Sequence, residues 1–404
     1  MKLYTFILAS ILLLSCKTEP KTIQKLEKGL YRATLQIQDQ QEIPFTFEVV
    51  TTNELLVFNA EEVIKVHEIE YVNDSVRIQM PYFEGYLKAK IDNDKLSGEF
   101  VKESLNRIVP FTATKGNQRF TSSGAPKTNI TGSWETVFSP DVAEDRYIAK
   151  GIFKQEGEKV TGTFRTTTGD YRYLEGVLNN DVLQLSTFDG AHAFYFTAKV
   201  NDSTMNGHFY SGNHWKEPFT AKLNNTYELP DAETLTYLKK GYDGITFSFP
   251  DEKGKLVSLT DEHYTDKVVV VQIMGSWCPN CLDESRYYSE FYTKNKNKGI
   301  EFVGLAFEVA KTPEEAFEYI NRMKEQTGIT YPVLLAQYGS SNKISAQEKL
   351  PMLNHVLSYP TTIIIGKKGK VRKIHTGFNG PATGQVYIDF TKSFESFLQE
   401  LTTE

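Results

Sequence analysis

Residues 268–274 read VVVVQIM, an almost unbroken apolar, mostly β-branched run. Such a run fits a strand covered on both faces, the kind found in parallel sheets flanked by helices. It leads into Gly275-Ser276-Trp277-Cys278-Pro279-Asn280-Cys281, and LDESRYYSEFYTKNKNKG then carries a helical pattern with a glycine stop. The alternation continues. IEFVGLAF reads as a buried strand and TPEEAFEYINRMKEQTG as a helix with Thr312 at its N-cap and Pro313 at N1. TYPVLLA reads as a strand, YPTTIIIGKKGKVRKIHTG as a strand pair, and YIDFTKSFESFLQEL as an amphipathic last helix. Ahead of them GITFSF and KLVSL flank PDEKG as a hairpin. Residues 242–404 are therefore expected to form an α/β domain.

The texture before residue 224 is different. Short alternating runs such as LYRATLQI, FTFEVV and GYLKAKI are separated by turn signals, the pattern of an all-β region. It contains a repeat. Residues 85–115 align with 194–223, so that Gly98 matches Gly207, Pro110 matches Pro218, and Phe111-Thr112-Ala113 matches Phe219-Thr220-Ala221. Two similar β units follow, over 29–123 and 129–223, as barrels, sandwiches or two halves of one sheet structure. GAPKT marks the join. Between 224 and 241, LPDAETLTYLKKGY has a helix-start signature and predicts a linker helix.

The chain opens MKLYTFILASILLLSC. Residues 1–15 are expected to be a secretory signal, whose apolar stretch is too short to span a bilayer as a mature helix. Leu13-Leu14-Ser15-Cys16 resembles a bacterial lipobox, which implies lipid on Cys16 and a polar tether over 16–28; an ordinary signal peptide that happens to contain a cysteine is the alternative. The expected location is the cell envelope of a bacterium, lipid-anchored and facing the periplasm. A net charge of −6 argues against nucleic acid as a partner.

Of three cysteines, only Cys278 and Cys281 lie outside that N-terminal stretch. Two cysteines cannot close a four-ligand zinc site, and His263 and His355 are distant in sequence. His192, His208 and His214 with Asp189 match no standard metal spacing. A stabilising disulfide would close a longer loop. The pair is best read as redox-active, with no metal or organic cofactor. Cys278 belongs at a helix N-terminus, where free amides and the helix dipole stabilise a thiolate. Cys281 lies one turn on, placed to attack a mixed disulfide on Cys278. Pro279 suits the first helical turn.

A strand, Trp-Cys-x-x-Cys, a helix, and a distant Tyr359-Pro360-Thr361-Thr362 before an apolar strand resemble the thioredoxin fold. The leading hairpin, Glu284 and the long middle segment are more similar to the TlpA/ResA-type thiol–disulfide oxidoreductases. The resemblance covers residues 242–402. It implies Cys278 as nucleophile, Cys281 as resolving thiol, and a cis Pro360 lying against the pair. It also implies a substrate groove shaped by Tyr359, with Pro279 and Asn280 as the tuning dipeptide and Trp277 packed beside the cysteines. Glu284 matches a carboxylate that some relatives use in proton transfer. Gln272 stands where thioredoxin has a buried Asp and cannot take a proton, so that role passes to Glu284, to water or to nothing. Residues 337–358 are expected to put a helix over the groove, with His355 near the site.

The resemblance implies an enzyme that reduces protein disulfides, re-reduced by a membrane dithiol donor or another thioredoxin-like protein. A thiol peroxidase on the same scaffold is the first alternative. Val271 and Gly275 replace the Pro and Thr expected before a peroxidatic cysteine. A non-catalytic envelope-binding lipoprotein, with the β region as its working part, is the second.

Overall fold

The computed structural model describes residues 23–404, so the signal, Cys16 and the first part of the tether lie outside the described residues. The N-terminal region is two nine-stranded antiparallel sheets, one spanning Gly29–Lys115 and the other Gly132–Leu223. Burial alternates along their strands: in Tyr86–Asp92 the residues Leu87, Ala89 and Ile91 turn inward and Lys88 and Lys90 outward.

The repeat has a structural cause. In each unit the repeated glycine pairs across the ladder with the repeated phenylalanine, Gly98 with Phe111 and Gly207 with Phe219. A Cβ on either glycine would lie about 2 Å from a carbonyl oxygen of the next strand, 1.9 Å at Gly98 and 2.1 Å at Gly207. Only glycine lets the strands approach so closely beside the ring.

The two units differ in closure. In the second, Tyr147–Glu156 pairs with both Gly132–Phe138 and Lys159–Thr166, and the latter pairs on with Leu174–Asn179, so the sheet closes into a barrel. The two-residue strand Gly169–Asp170 hangs from it. The first unit stays open, with Glu62–Val66 and Ile69–Val72 as its two end strands. Phe188 of the second unit stacks on Phe45 of the first, ring centroids 4.3 Å apart, and the Ser186 hydroxyl donates to the Pro44 carbonyl. Arg119 donates to Phe58 and Asn59 of the first unit, whereas the Lys127 amide donates to Asn180 of the second.

The expected linker helix shrinks to one turn, Ala232–Leu235, with Asp231 capping the Glu233 amide. Thr236 turns extended (φ −112°, ψ 133°), and Lys239 and Tyr237 exchange backbone bonds with Met352 and Asn354. Backbone pairing with that distant segment takes up the groups a longer helix would have used.

The C-terminal domain is a five-stranded mixed sheet in the order Val333–Gln337, Ile300–Phe307, Val268–Met274, Thr361–Ile365, Val371–Thr376. The first three strands run parallel, Thr361–Ile365 runs antiparallel to them, and Val371–Thr376, antiparallel to Thr361–Ile365, runs in the direction of the first three. Helices Pro279–Asn295, Pro313–Thr327 and Gln385–Thr403 cover it. Every residue of Val268–Met274 is buried, as the apolar run requires. Thr312 accepts from the Glu315 amide and Gly328 ends that helix in the left-handed conformation (φ 73°).

Candidate active site

Cys278 is the N-cap of its helix and Pro279 the first helical residue. The Cys278 sulfur accepts from the Cys281 amide (3.2 Å) and its S–H donates to the Tyr359 carbonyl (3.4 Å). Both cysteines are unbonded thiols, 5% and 0% exposed. Burial and the neighbouring Cys278 push the Cys281 thiol well up. The Tyr359–Pro360 peptide bond is cis and carries the groove past the pair. The Trp277 ring meets Tyr359 edge-on at 5.6 Å and its indole N–H donates to the Phe307 carbonyl (2.9 Å).

Behind the pair lies Glu284, fully buried one turn beyond Cys281. Its carboxyl accepts from Gln272 Nε2 (2.9 Å), the Thr362 hydroxyl (2.9 Å) and the Tyr288 hydroxyl (3.2 Å). Burial outweighs these donors and lifts it to about 7. Gln272 also bonds Ser285, so it is a satisfied core amide that orients Glu284. A second buried carboxyl, Glu308, accepts from the Ser276 amide (2.8 Å) and hydroxyl (2.7 Å) and is likewise lifted by burial to about 7. Sequence reasoning missed it. The signal was an acid directly ending the buried strand IEFVGLAF, at the sheet edge that carries Trp277.

These two acids couple stability to pH. Each folded-state value lies above the ordinary 4.5, so each favours the fold fully below about pH 4.5 and loses that contribution as pH rises through about 7. Glu284→Gln is expected to flatten this slope, removing at most about 3 kcal/mol of pH-dependent stability between pH 4.5 and 7. Urea titrations of both proteins across that range check it; parallel pH profiles would sink it.

His355 is not at the site: its ring nitrogen contacts the Leu235 carbonyl at 3.0 Å, on the segment that replaced the linker helix. A short helix, Lys343–Lys349, does form in the long middle segment. His375 is half-buried, its ring 4.8 Å from that of Phe390.

The β region reaches the cysteines, which no sequence pattern announced. Arg172, 2% exposed along its side chain, donates to the Pro279 carbonyl (3.2 Å) and to Asp283 (2.5 Å), two residues beyond Cys281. It also pairs with Glu62 of the first unit and with Asp189 at 3.1 Å. One guanidinium thus joins three carboxylates from three parts of the chain. Burial resists ionisation of Asp189, but His192 and Arg172 hold it low; burial pushes Glu62 up. Beside it the hairpin Thr166–Arg172 packs on residues that flank the dithiol, Asn280 and Ser358 among them. The Ser358 hydroxyl donates to the Thr168 carbonyl (2.8 Å), and a Cβ on Gly169 would fall 1.9 Å from Asn280 Nδ2. Asp170 accepts from the Gly380 amide (2.6 Å).

The geometry is that of a dithiol at a helix N-terminus with a buried acid behind its second thiol. The Redoxin family model matches residues 230–386. Over 142 residues the chain is 31% identical to thiol-disulfide oxidoreductase ResA of Geobacillus thermodenitrificans, covering 35% of this chain and 72% of that protein. It is 28% identical to ResA of Bacillus subtilis, covering 39% and 79%. A thiol-disulfide oxidoreductase structure from Bacteroides fragilis aligns at 19% identity and TM-score 0.28, over 37% of this chain and 99% of that one. With its dithiol, cis proline and thioredoxin-like sheet carried in residues 242–404, the chain belongs to the TlpA/ResA-like thiol–disulfide oxidoreductases.

Proposed function

We propose that the protein reduces disulfides in other proteins outside the cytoplasm, held to a bacterial envelope membrane by lipid on Cys16. The observation that carries the chemistry is the Cys278 sulfur at the N-cap of its helix, accepting from the Cys281 amide. The Cys278 thiolate attacks one sulfur of the substrate disulfide, and the other sulfur leaves as a thiolate that takes up a proton. Cys281, deprotonated, then attacks the Cys278 sulfur and frees the second substrate thiol. Two electrons pass to the substrate and the dithiol becomes a disulfide. A membrane dithiol donor or another thioredoxin-like protein returns the electrons.

Glu284, about half ionised near neutrality, serves as base for the resolving thiol, held in place by Gln272, Tyr288 and Thr362. In Glu284→Gln the resolution step is expected to slow about a hundredfold, the low end for a positioned base. Quenched-flow measurement of mixed-disulfide decay against pH tests this; an unchanged rate near pH 7 removes Glu284 from the mechanism. Tyr359, Pro360 and Trp277 line the approach to Cys278, and Pro279 and Asn280 tune the pair. The lipid anchor rests on the lipobox alone; among the described residues no helix is long and apolar enough to cross a membrane.

Equilibration with glutathione buffers tests the direction of electron flow. A reduction potential near the thioredoxin value of about −270 mV is expected for a reductase. A value near about −120 mV would make the protein an oxidant instead.

A further inference from the structure

A cavity of about 310 Å³ opens between both β units and the C-terminal domain, and its floor is Ser276, Trp277 and Pro279, the neighbours of Cys278. Its walls are apolar, with Tyr82 and Leu105 from the first unit and Phe194 from the second. Its rim is basic. Lys102 and Arg107 face it, and neither forms an ion pair with a described carboxylate; Lys102 Nζ donates to the Ala191 carbonyl (3.2 Å). Glu84 is the one acid among the lining residues; it accepts from the Ser104 amide (3.1 Å) and hydroxyl (2.5 Å), and its single charge acts on both Lys102 and Arg107, leaving the pair of cations in excess. A third cation, Arg322, is neutralised by Glu68 at 2.6 Å. Burial lowers Lys102 and Arg107, and together with burial their charge holds nearby His214 down to about 4. Two partly desolvated cations above an apolar, aromatic pocket are complementary to an anion carried next to a hydrophobic group.

We infer that this cavity is the substrate-selecting site of the enzyme, and that it takes the residues flanking the target cysteine of a polypeptide disulfide, an aromatic or aliphatic side chain next to a carboxylate. The inference rests on the reductase reading above and deepens it. The apolar side chain fills the space over Trp277 and Pro279, the carboxylate meets Lys102 and Arg107, and the disulfide is thereby presented to Cys278. The β region then chooses the substrate and the C-terminal domain does the chemistry.

The test is single-turnover reduction of disulfide-quenched fluorescent peptides by the pre-reduced full chain, which supplies both electrons itself. Three peptides differ only in the residue between Phe and the disulfide-bonded Cys: Glu, Gln or Lys. The Glu peptide is expected to react about tenfold faster than the Gln peptide, as one charge-assisted contact would give, and the Lys peptide to be slower still. The ratio is expected to fall to about one in Lys102→Gln/Arg107→Gln and to turn in favour of the Lys peptide in Lys102→Glu/Arg107→Glu, a gain that misfolding cannot mimic. Equal rates for the three peptides with the unmodified protein, or a Glu preference that survives both double substitutions, would overturn the inference. Oxidised glutathione reduced as fast as the Glu peptide would also overturn it, because the occupant would be a small anionic disulfide. If no peptide is reduced at all, it is the reductase reading that fails.

Discussion

Reduced Cys281→Ser protein, mixed with a disulfide-containing protein, is expected to stop halfway and accumulate a covalent mixed disulfide through Cys278. The reason is geometric. Cys278 takes the N-cap position and touches both the Cys281 amide and the Tyr359 carbonyl beside the groove, whereas Cys281 is wholly buried behind it. Only Cys278 can meet an incoming disulfide, and only Cys281 can release it. Intact mass spectrometry should show one substrate chain added, lost on treatment with dithiothreitol. Cys278→Ser should form no adduct, and turnover in both variants should fall to the uncatalysed level. An adduct on Cys281 in the Cys278→Ser protein would reverse the two roles. Full turnover by either single variant would remove the dithiol mechanism altogether.

The second large effect is expected at Arg172, far from the cysteines in sequence. Its guanidinium sits among Glu62, Asp189 and Asp283, and its bond to the Pro279 carbonyl ties that cluster to the first turn of the cysteine helix. Arg172→Met leaves Glu62, Asp189 and Asp283 without the cation they share, with only Arg286 beside Asp283 and His192 beside Asp189. Breaking a buried ion pair by removing one partner costs about 3–5 kcal/mol, chiefly because the remaining charges stay desolvated. The loss should shrink on acidification, as the stranded carboxyls are protonated. Urea denaturation at pH 7 and pH 5 is the measurement. Arg172→Lys, which restores the charge but not the fork of donors, should recover only part of the loss. A Met variant within about 1 kcal/mol of the parent at pH 7, the scale of an exposed ion pair, would show the cluster to be solvated in solution.

How far the sequence reached depended on the range of the forces involved. The buried strand Val268–Met274, the cap at Thr312 and the N-cap position of Cys278 are local consequences of side-chain size, branching and hydrogen-bonding groups, and they appear where the pattern puts them. The glycine–phenylalanine repeat was legible because a ladder contact leaves the same mark twice. Arg172 left none: its partners lie 17, 110 and 111 residues away, and no period connects them. Glu308 carries no local mark of its role either, because the Ser276 amide and hydroxyl that converge on it lie 32 residues away. The linker failed for a related reason. LPDAETLTYLKKGY has helical local preferences, but the backbone at Met352–Asn354 competes for its amides and wins.

Cys278, with its sulfur against the Tyr359 carbonyl, is only 5% exposed. Thiols climb the oxidation ladder toward sulfinic acid in proportion to their access to oxidant. A reactive sulfur this well covered is shielded from peroxide and from electrophiles that simply diffuse past. The same cover makes chemical labelling of Cys278 slow in the folded protein and fast once the chain is unfolded.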